Sequence, residues 1–370
     1  MKTPTDQFQL VPLRETVQVS LLDGRVIEGR RGACIAKFLQ TLPEWSEPPV
    51  VGAVMNGELR ELTYPVDTDV RCGLVTMADA DGARIYRRSL IFLLQAAFAD
   101  RFPTESLTVD HSVASGGYFC QILGGRILTP AELIDLKTRM QELVAADLPF
   151  ERRLAPLGEA VALFEQTGQE DKVRLLKYRP KDHLVIYRLG RHQDYHHGYM
   201  VPSSGYLKWF DLSVLGDGFV LQYPRRHSPT SLLPMPEYPK LLSTFRQYGH
   251  WLERLGIDSV GALNDSINEG RTREIILLSE ALHEQQISEI AGQIAEERER
   301  VKVVLIAGPS SSGKTTFSKR LTVQLLARGI SPYPVEMDNY FVDRERTPRD
   351  SNGDYDFESL NALDTQLLGK

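Results

Sequence analysis

The sequence predicts a multidomain protein that combines α+β and α/β architecture. Its 370 residues are enough for about two to three domains, and 42% hydrophobic with 25% charged residues is an ordinary globular composition. Short β-type runs separated by Asp23-Gly24 and Asn56-Gly57 turns fill the N-terminal part. Near the other end, an apolar β-branched run over residues 303–306 leads directly into a glycine-rich segment and a helical pattern.

Charge and cysteine usage exclude several classes of protein. The net charge of −6 argues against a broad nonspecific nucleic-acid surface, although it leaves room for a local basic patch. Three widely separated cysteines without a C-x-x-C pair support neither a zinc ribbon nor a disulfide framework. No signal peptide and no apolar run of membrane-spanning length is visible, so we expect a cytoplasmic protein without a membrane partner.

Residues 1–78 are predicted to form a small β-rich domain. Its elements are a hairpin over 17–28, a helix over 33–42, a strand over 50–54, a return strand over 59–62 and a last strand over 71–77. This order is that of a ubiquitin-like β-grasp fold.

Residues 79–215 are predicted to form a second, α+β domain. A helix with one apolar face begins near residue 85, and another follows Thr129. Thr129 as N-cap, Pro130 in the first turn and Glu132 three residues after the cap predict a capping box.

The order of these segments resembles that of threonyl-tRNA synthetases. VSLLDGRVIEG and VVGAVMNGELRELTYPVDTDV resemble their TGS domain, and residues 79–215 resemble the domain that hydrolyses mischarged tRNA. The resemblance places Arg88 and Phe92 where that family has two histidines, and His196 and Met200 where it has a Cys/His pair before a Pro-Ser-x-Gly segment. Arginine and phenylalanine cannot act as a base there and methionine is a poor zinc ligand, so we expect a retained fold without editing chemistry.

A metal site among the nearby histidines is the alternative. His192, His196 and His197 are close in sequence, but no further ligand with convincing spacing accompanies them. Surface or hydrogen-bonded histidines are the favoured interpretation.

Residues 216–300 are predicted to connect this region to the C-terminal end. A strand over 218–223 and a proline-rich loop over 224–239 precede helices over 240–255, 260–269 and 271–300. The last helix carries an apolar stripe at helical spacing: Ile287, Ile290, Ala291 and Ile294.

The segment from Gly308 to Thr315 fits the G-x-x-x-x-G-K-S/T pattern of a P-loop, in which backbone N–H groups and a helix N-terminus hold phosphates. Lys314 would contact the β/γ-phosphates and Thr315 would hold Mg²⁺. The candidate nucleotide-binding residues are Gly308, Pro309, Ser310, Ser311, Ser312, Gly313, Lys314, Thr315 and Thr316.

GPSSSGKTT, a predicted strand over 331–335 ending near Asp338, and an acidic segment over 354–364 together resemble the uridine kinase and phosphoribulokinase family. The resemblance implies that Asp338 accepts the substrate hydroxyl proton and lies near Mg²⁺. It implies a ribose-binding carboxylate at Glu358, with Asp356 as its rival. The substrate-binding candidates are Tyr340, Arg349, Asp356 and Glu358. Residues 301–370 would then be the N-terminal part of a P-loop kinase domain, incomplete and inactive alone.

The resulting functional prediction is an ATP- and Mg²⁺-dependent nucleoside kinase that transfers the γ-phosphoryl group to a ribose-type hydroxyl. Its expected partner is a nucleoside or similar small hydroxyl compound, and nucleic acid is possible but not favoured. The alternative is an RNA- or tRNA-binding or sensing protein that uses the P-loop as a nucleotide-dependent switch. A patch around Arg87, Arg88 and Lys137 could serve that alternative.

Overall fold

The structure is a computed structural model that describes residues 12–45, 47–113, 116–234, 239–309, 311–350 and 353–369. The chain divides into two compact units, Met1–Asn264 and Asp265–Lys370. Mixed α+β composition with several sheets is as predicted.

A five-stranded mixed sheet begins the first unit. Its elements are β1 (Thr16–Leu21), β2 (Val26–Arg30), α1 (Ile35–Leu39), β3 (Val50–Met55), β4 (Glu58–Arg60) and β5 (Val70–Thr76). The strand order is β2-β1-β5-β3-β4, and β1 and β5 pair in parallel. Asn56 and Gly57 both have positive φ, 51° and 86°, which is the backbone of a tight hairpin turn that an Asn-Gly pair favours. Helix α1 is shorter than the helix predicted over residues 33–42.

Two antiparallel sheets and several helices, two of them long, follow in this unit. The elements are α2 (Ala80–Arg101), β6 (Leu107–Val113), β7 (Gly117–Ile122), α3 (Pro130–Ala145), β8 (Glu151–Pro156), α4 (Leu157–Gln166), α5 (Glu170–Leu176), β9 (His183–Leu189), β10 (His192–Tyr195), β11 (Asp211–Leu215) and β12 (Gly218–Gln222). The sheets have the orders β10-β9-β8 and β11-β12-β7-β6, so the second sheet continues past residue 215.

Helix α2 is the central element of the larger core. Its buried face includes Leu90, Phe92 and Leu93, each fully buried. At its start, a Cβ on Gly82 would lie 1.9 Å from the Thr76 carbonyl oxygen, so only glycine lets the helix approach the end of β5 this closely. Helix α3 begins with the predicted capping box, because Thr129 and Glu132 bond each other's backbone N–H groups.

The remaining helices are α6 (Pro239–Leu255), α7 (Val260–Asn268), α8 (Thr272–Glu296), α9 (Lys314–Leu326) and α10 (Thr365–Leu368). In the second unit the stripe on α8 packs against α9: Ile287 and Ala291 meet Leu321 and Leu325 in one buried cluster. Ile290, also in the predicted stripe, is 37% exposed. No helix within the described ranges is both long and apolar enough to cross a membrane.

The predicted strands over 303–306 and 331–335 are wrong. Both segments lack strand pairing, and Val303 and Leu305 are 74% and 88% exposed. A buried parallel strand needs hydrogen-bonded neighbours, and none of the strands in the described part of the chain lies in the second unit. A β-branched run without such neighbours stays extended and open, so the α/β sheet predicted there is not formed.

Candidate functional site

One face of α2 and the segment that follows β10 come together in the first unit. Phe92, one turn after Arg88, is fully buried, and its ring centroid lies 4.8 Å from that of His192 and 5.5 Å from that of His196. Arg88 Nη1 donates to the Tyr199 carbonyl oxygen at 2.6 Å. The structure therefore brings together the α2 positions and the histidines that the sequence singled out.

Hydrogen bonds fix the segment that carries Met200. The Val201 N–H donates to Ser89 Oγ at 2.9 Å, and the Ser89 hydroxyl donates to the Ile85 carbonyl within α2. Ser204 Oγ accepts from the Leu148 N–H at 2.8 Å. Met200 itself is 1% exposed and belongs to the apolar core, so it packs and does not face solvent.

The imidazoles of His192 and His196 are held neutral by their surroundings. Burial lowers the pKa of both, and that of His196 falls to about 4. Both Nε2 atoms are buried and lack a hydrogen-bond partner. With Phe92 packed against both rings, neither His192 nor His196 presents its Nε2 lone pair to a water molecule.

An ion pair near these two imidazole rings acts electrostatically on both of them. Lys172 Nζ is 2.5 Å from Asp194 Oδ2, and the Asp194 side chain is only 3% exposed. The other carboxylate oxygen accepts from the Tyr195 N–H at 2.7 Å. This pair could not be predicted from the sequence, because its members lie on different elements, α5 and β10.

A cleft opens beside His196. Its volume is about 320 Å³, and its lining residues are Arg152, Arg179, Leu184, Val185, His196, His197, Gly198 and Tyr199. The Arg152 side chain is 40% exposed, and Arg179 Nε donates to the His183 carbonyl at 3.1 Å. Two guanidinium groups beside an aromatic ring give the cleft a cationic, ring-stacking character. Neither Arg152 nor Arg179 was singled out from the sequence, since β8 and the segment after α5 meet only in the fold.

A metal centre is not formed here. Among the described residues, no group of three or more His, Cys, Asp or Glu side chains is arranged to hold a metal ion.

The glycine-rich segment, residues 308–316, belongs to the second unit. Gly313 has φ 85° and precedes α9, whose first residue is Lys314. Lys314 Nζ donates to the Gly308 and Pro309 carbonyl oxygens at 2.8 and 2.9 Å. Ser311 has φ 59°, and Ser310 lies outside the described residues. The remaining loop candidates, Ser312, Thr315 and Thr316, are exposed.

The other predicted site residues of this unit lie in turns and short irregular segments. Asp338 and Tyr340 lie in a short 3₁₀ turn, Met337–Tyr340. Arg349 Nη1 donates to the Gly353 carbonyl at 2.6 Å, and Asp356 Oδ1 accepts from the Glu358 N–H at 3.1 Å. Across residues 311–350 and 353–369, no hydrogen bond or ion pair joins them to Lys314 or Thr315. The catalytic and substrate-binding roles assigned to these residues stay predictions.

Comparisons with known proteins point to one class of enzyme. No family model matches the chain. It is 31% identical over 204 residues to the threonine–tRNA ligase of Polaromonas naphthalenivorans (strain CJ2), covering 55% of this chain and 32% of the relative. The chain is 32% identical over 204 residues to the threonine–tRNA ligase of Paraburkholderia xenovorans (strain LB400), with the same coverage of both chains. It is 33% identical over 178 residues to the threonine–tRNA ligase of Hahella chejuensis (strain KCTC 2396), covering 48% of this chain and 28% of the relative.

The chain spans about a third of the length of the curated relatives it matches. These matches confirm the predicted similarity to threonyl-tRNA synthetases over about half of the chain. The prediction of a nucleoside kinase is wrong, because the relatives are named as ligases that act on threonine and tRNA, not as phosphotransferases. For the same reason the prediction that nucleic acid is not a favoured partner is wrong, and a nucleoside substrate has no support.

Proposed function

We propose that this protein is a tRNA-binding relative of the threonine–tRNA ligases, and that its cleft receives the end of a tRNA without hydrolysing an ester there. The observation that carries the proposal is the cationic, aromatic cleft within a chain that matches these ligases.

Binding is supported by the chemistry of the cleft lining. Arginines supply the phosphate contacts that dominate nucleic-acid affinity, and Arg152 and Arg179 both line the cleft. The Tyr199 ring offers a face on which an unpaired base can stack. A volume of about 320 Å³ is at the lower end for small-ligand pockets, which suits one terminal nucleoside better than a large ligand.

Absence of hydrolysis is supported by the groups beside the cleft. A general base needs an accessible lone pair within reach of a water molecule. The buried Nε2 atoms of His192 and His196 offer none, and Phe92 lies against both rings. Arg88 remains protonated and is bonded to a backbone carbonyl, so it cannot accept a proton.

For residues 308–316 we propose binding of nucleotide phosphates, with ATP as ligand. The loop fits such a ligand because Gly313 takes a left-handed backbone that other residues resist, and a Cβ on Gly308 would lie 2.7 Å from Ser312 Oγ. The Lys314 ammonium lies over the loop carbonyls, where a phosphate oxygen could replace them. Bound Mg²⁺ would neutralise phosphate charge, with Thr315 and Asp338 as its proposed contacts. The roles of Tyr340, Arg349, Asp356 and Glu358 stay predictions.

The tRNA proposal is tested by measuring affinity for a tRNA transcript as a function of salt. Arg152→Ala and Arg179→Ala should each weaken binding and make the salt dependence shallower by about one phosphate contact. Arg191→Ala is the matched control, because this exposed arginine follows β9 outside the cleft lining. Deacylation of seryl-tRNA and threonyl-tRNA should remain at the uncatalysed rate. Equal effects of all three substitutions, or rapid deacylation, would contradict the proposal.

A further inference from the structure

Four side chains form a row of alternating tyrosine and arginine that runs from the five-stranded sheet to the cleft. We name Tyr64, Arg60, Tyr199 and Arg152 the Tyr–Arg row. The Arg60 guanidinium carbon lies 5.0 Å from the Tyr64 ring centroid, and Arg60 Nη1 donates to the Tyr199 hydroxyl at 3.2 Å. The Arg152 guanidinium carbon lies 6.0 Å from the Tyr199 ring centroid. The row is therefore continuous from the β4 edge to the cleft lining.

The row is partly open to solvent. Tyr64 is 38% exposed, and the side chains of Arg60 and Arg152 are 26% and 40% exposed. Each ring already has an arginine against it, so the rings are restrained before any ligand arrives. A surface restrained in advance loses less side-chain entropy on binding.

Partly buried hydrogen bonds lie next to the Tyr–Arg row. The Tyr187 hydroxyl donates to Glu61 Oε2 at 3.0 Å and also lies 3.3 Å from the Gly198 carbonyl oxygen. Glu61 Oε1 is 4.0 Å from Arg152 Nε, and the Glu61 side chain is only 12% exposed. Glu61 thereby ties the segment after β4 to the cleft lining, and the two halves of the row keep their relative position.

We propose that the Tyr–Arg row binds the single-stranded part of an RNA and leads its end into the cleft. Unpaired bases have free faces that stack on tyrosine and arginine planes, whereas the bases of a duplex are already stacked on each other. Guanidinium groups between the rings contact the phosphates that follow each base. The inference deepens the proposed tRNA function and rests on it for the identity of the RNA. Its new content is that the five-stranded sheet supplies Arg60 and Tyr64 as RNA-binding residues.

One neighbouring group opposes binding. Arg60 Nη2 forms an ion pair with Glu58, whose side chain is 66% exposed. A phosphate must compete with this carboxylate for Arg60. Removing the Glu58 charge should therefore strengthen RNA binding, in the opposite direction to removing any member of the row.

The test uses the full chain and three labelled probes: a 12-nucleotide single-stranded RNA ending in CCA, the same sequence within a blunt duplex, and a tRNA transcript. Tyr64→Ala and Arg60→Gln should each weaken single-strand binding by roughly fivefold or more, the scale of one lost base-stacking contact. Glu58→Gln should strengthen it, and the duplex should bind more weakly than the single strand. Arg25→Gln is the matched control, because Arg25 directly precedes β2, and β2 and β4 are at opposite edges of the sheet. Thermal melting of each variant checks that it is folded.

The outcomes separate this inference from the function on which it rests. Unchanged affinity in the folded Tyr64 and Arg60 variants, or equal loss in Arg25→Gln, overturns the row even where tRNA binds. If single-strand binding depends on the Tyr–Arg row but the tRNA transcript does not bind, the row is supported and the tRNA proposal is overturned. Failure to bind any of the RNA probes overturns both.

Discussion

The Phe92 ring meets the His192 imidazole nearly edge-on, with the ring centroids 4.8 Å apart and the planes at 69°. Phe150 contacts the same phenyl ring at 5.7 Å. Phe92 therefore occupies the centre of an aromatic cluster at the position where a polar side chain would otherwise reach the histidines.

Phe92→Ala should destabilise the first unit by about 3–5 kcal/mol, because it removes a fully buried aromatic ring and leaves a cavity. Chemical denaturation followed by tryptophan fluorescence measures the change in the free energy of unfolding. Phe92→Leu is the control and should cost less than about 1.5 kcal/mol, since it keeps most of the apolar volume. A loss below 1 kcal/mol in the alanine variant would show that the site collapses without a cavity.

Acid should destabilise the fold through His196. Its pKa is 6.5 when unperturbed and about 4 in the folded protein, mainly because of burial. Between these values the unfolded chain binds a proton that the folded chain does not, so stability is complete above pH 6.5 and is lost as pH falls toward 4. The slope from this group reaches about 1.4 kcal/mol per pH unit. His196→Gln should flatten the profile measured by urea denaturation between pH 7 and 5; an unchanged profile would refute this assignment.

Lys172→Met should cost about 3–5 kcal/mol, because it leaves the Asp194 carboxylate buried without its cation. Asp194→Asn on the Lys172→Met background should restore part of this loss, since a neutral amide needs no counter-charge and can still accept from the Tyr195 N–H. The coupling free energy from a double-mutant cycle is the measured quantity. Simple additivity of the two substitutions would mean that the pair contributes nothing.

Local chemistry explains which features could be predicted from the sequence. The Asn56-Gly57 turn and the Thr129 cap depend on residues within four positions of each other, so their signals are complete in the sequence. The pairing of Arg88 and Phe92 with the histidines of β10 and its following segment has no such local signal, and only the resemblance to threonyl-tRNA synthetases indicates it.

Long-range contacts explain what could not be predicted. Arg60 and Tyr199 are 139 residues apart, and Lys172 and Asp194 belong to different elements, so only the fold brings each pair together. The run over 303–306 has strand composition, but composition cannot supply the neighbouring strands that a ladder requires. The glycine-rich loop, in contrast, has a pattern that is complete within nine residues of the sequence.

The lysine of that loop gives the last prediction. Lys314 Nζ is bonded to two loop carbonyls, and a bound triphosphate would exchange them for charge-assisted bonds to phosphate oxygens. Lys314→Ala should weaken ATP·Mg²⁺ binding by at least about tenfold, since a hydrogen bond to a charged group contributes about 1.5–3 kcal/mol. Lys319→Ala is the matched control, because Lys319 is an exposed lysine of the same helix α9. Calorimetry of the full chain with ATP·Mg²⁺ measures the affinities. Equal affinity of the Lys314 variant and the wild-type chain, or an equal loss in both variants, would mean that the loop is a turn between an extended segment and a helix and does not hold phosphates.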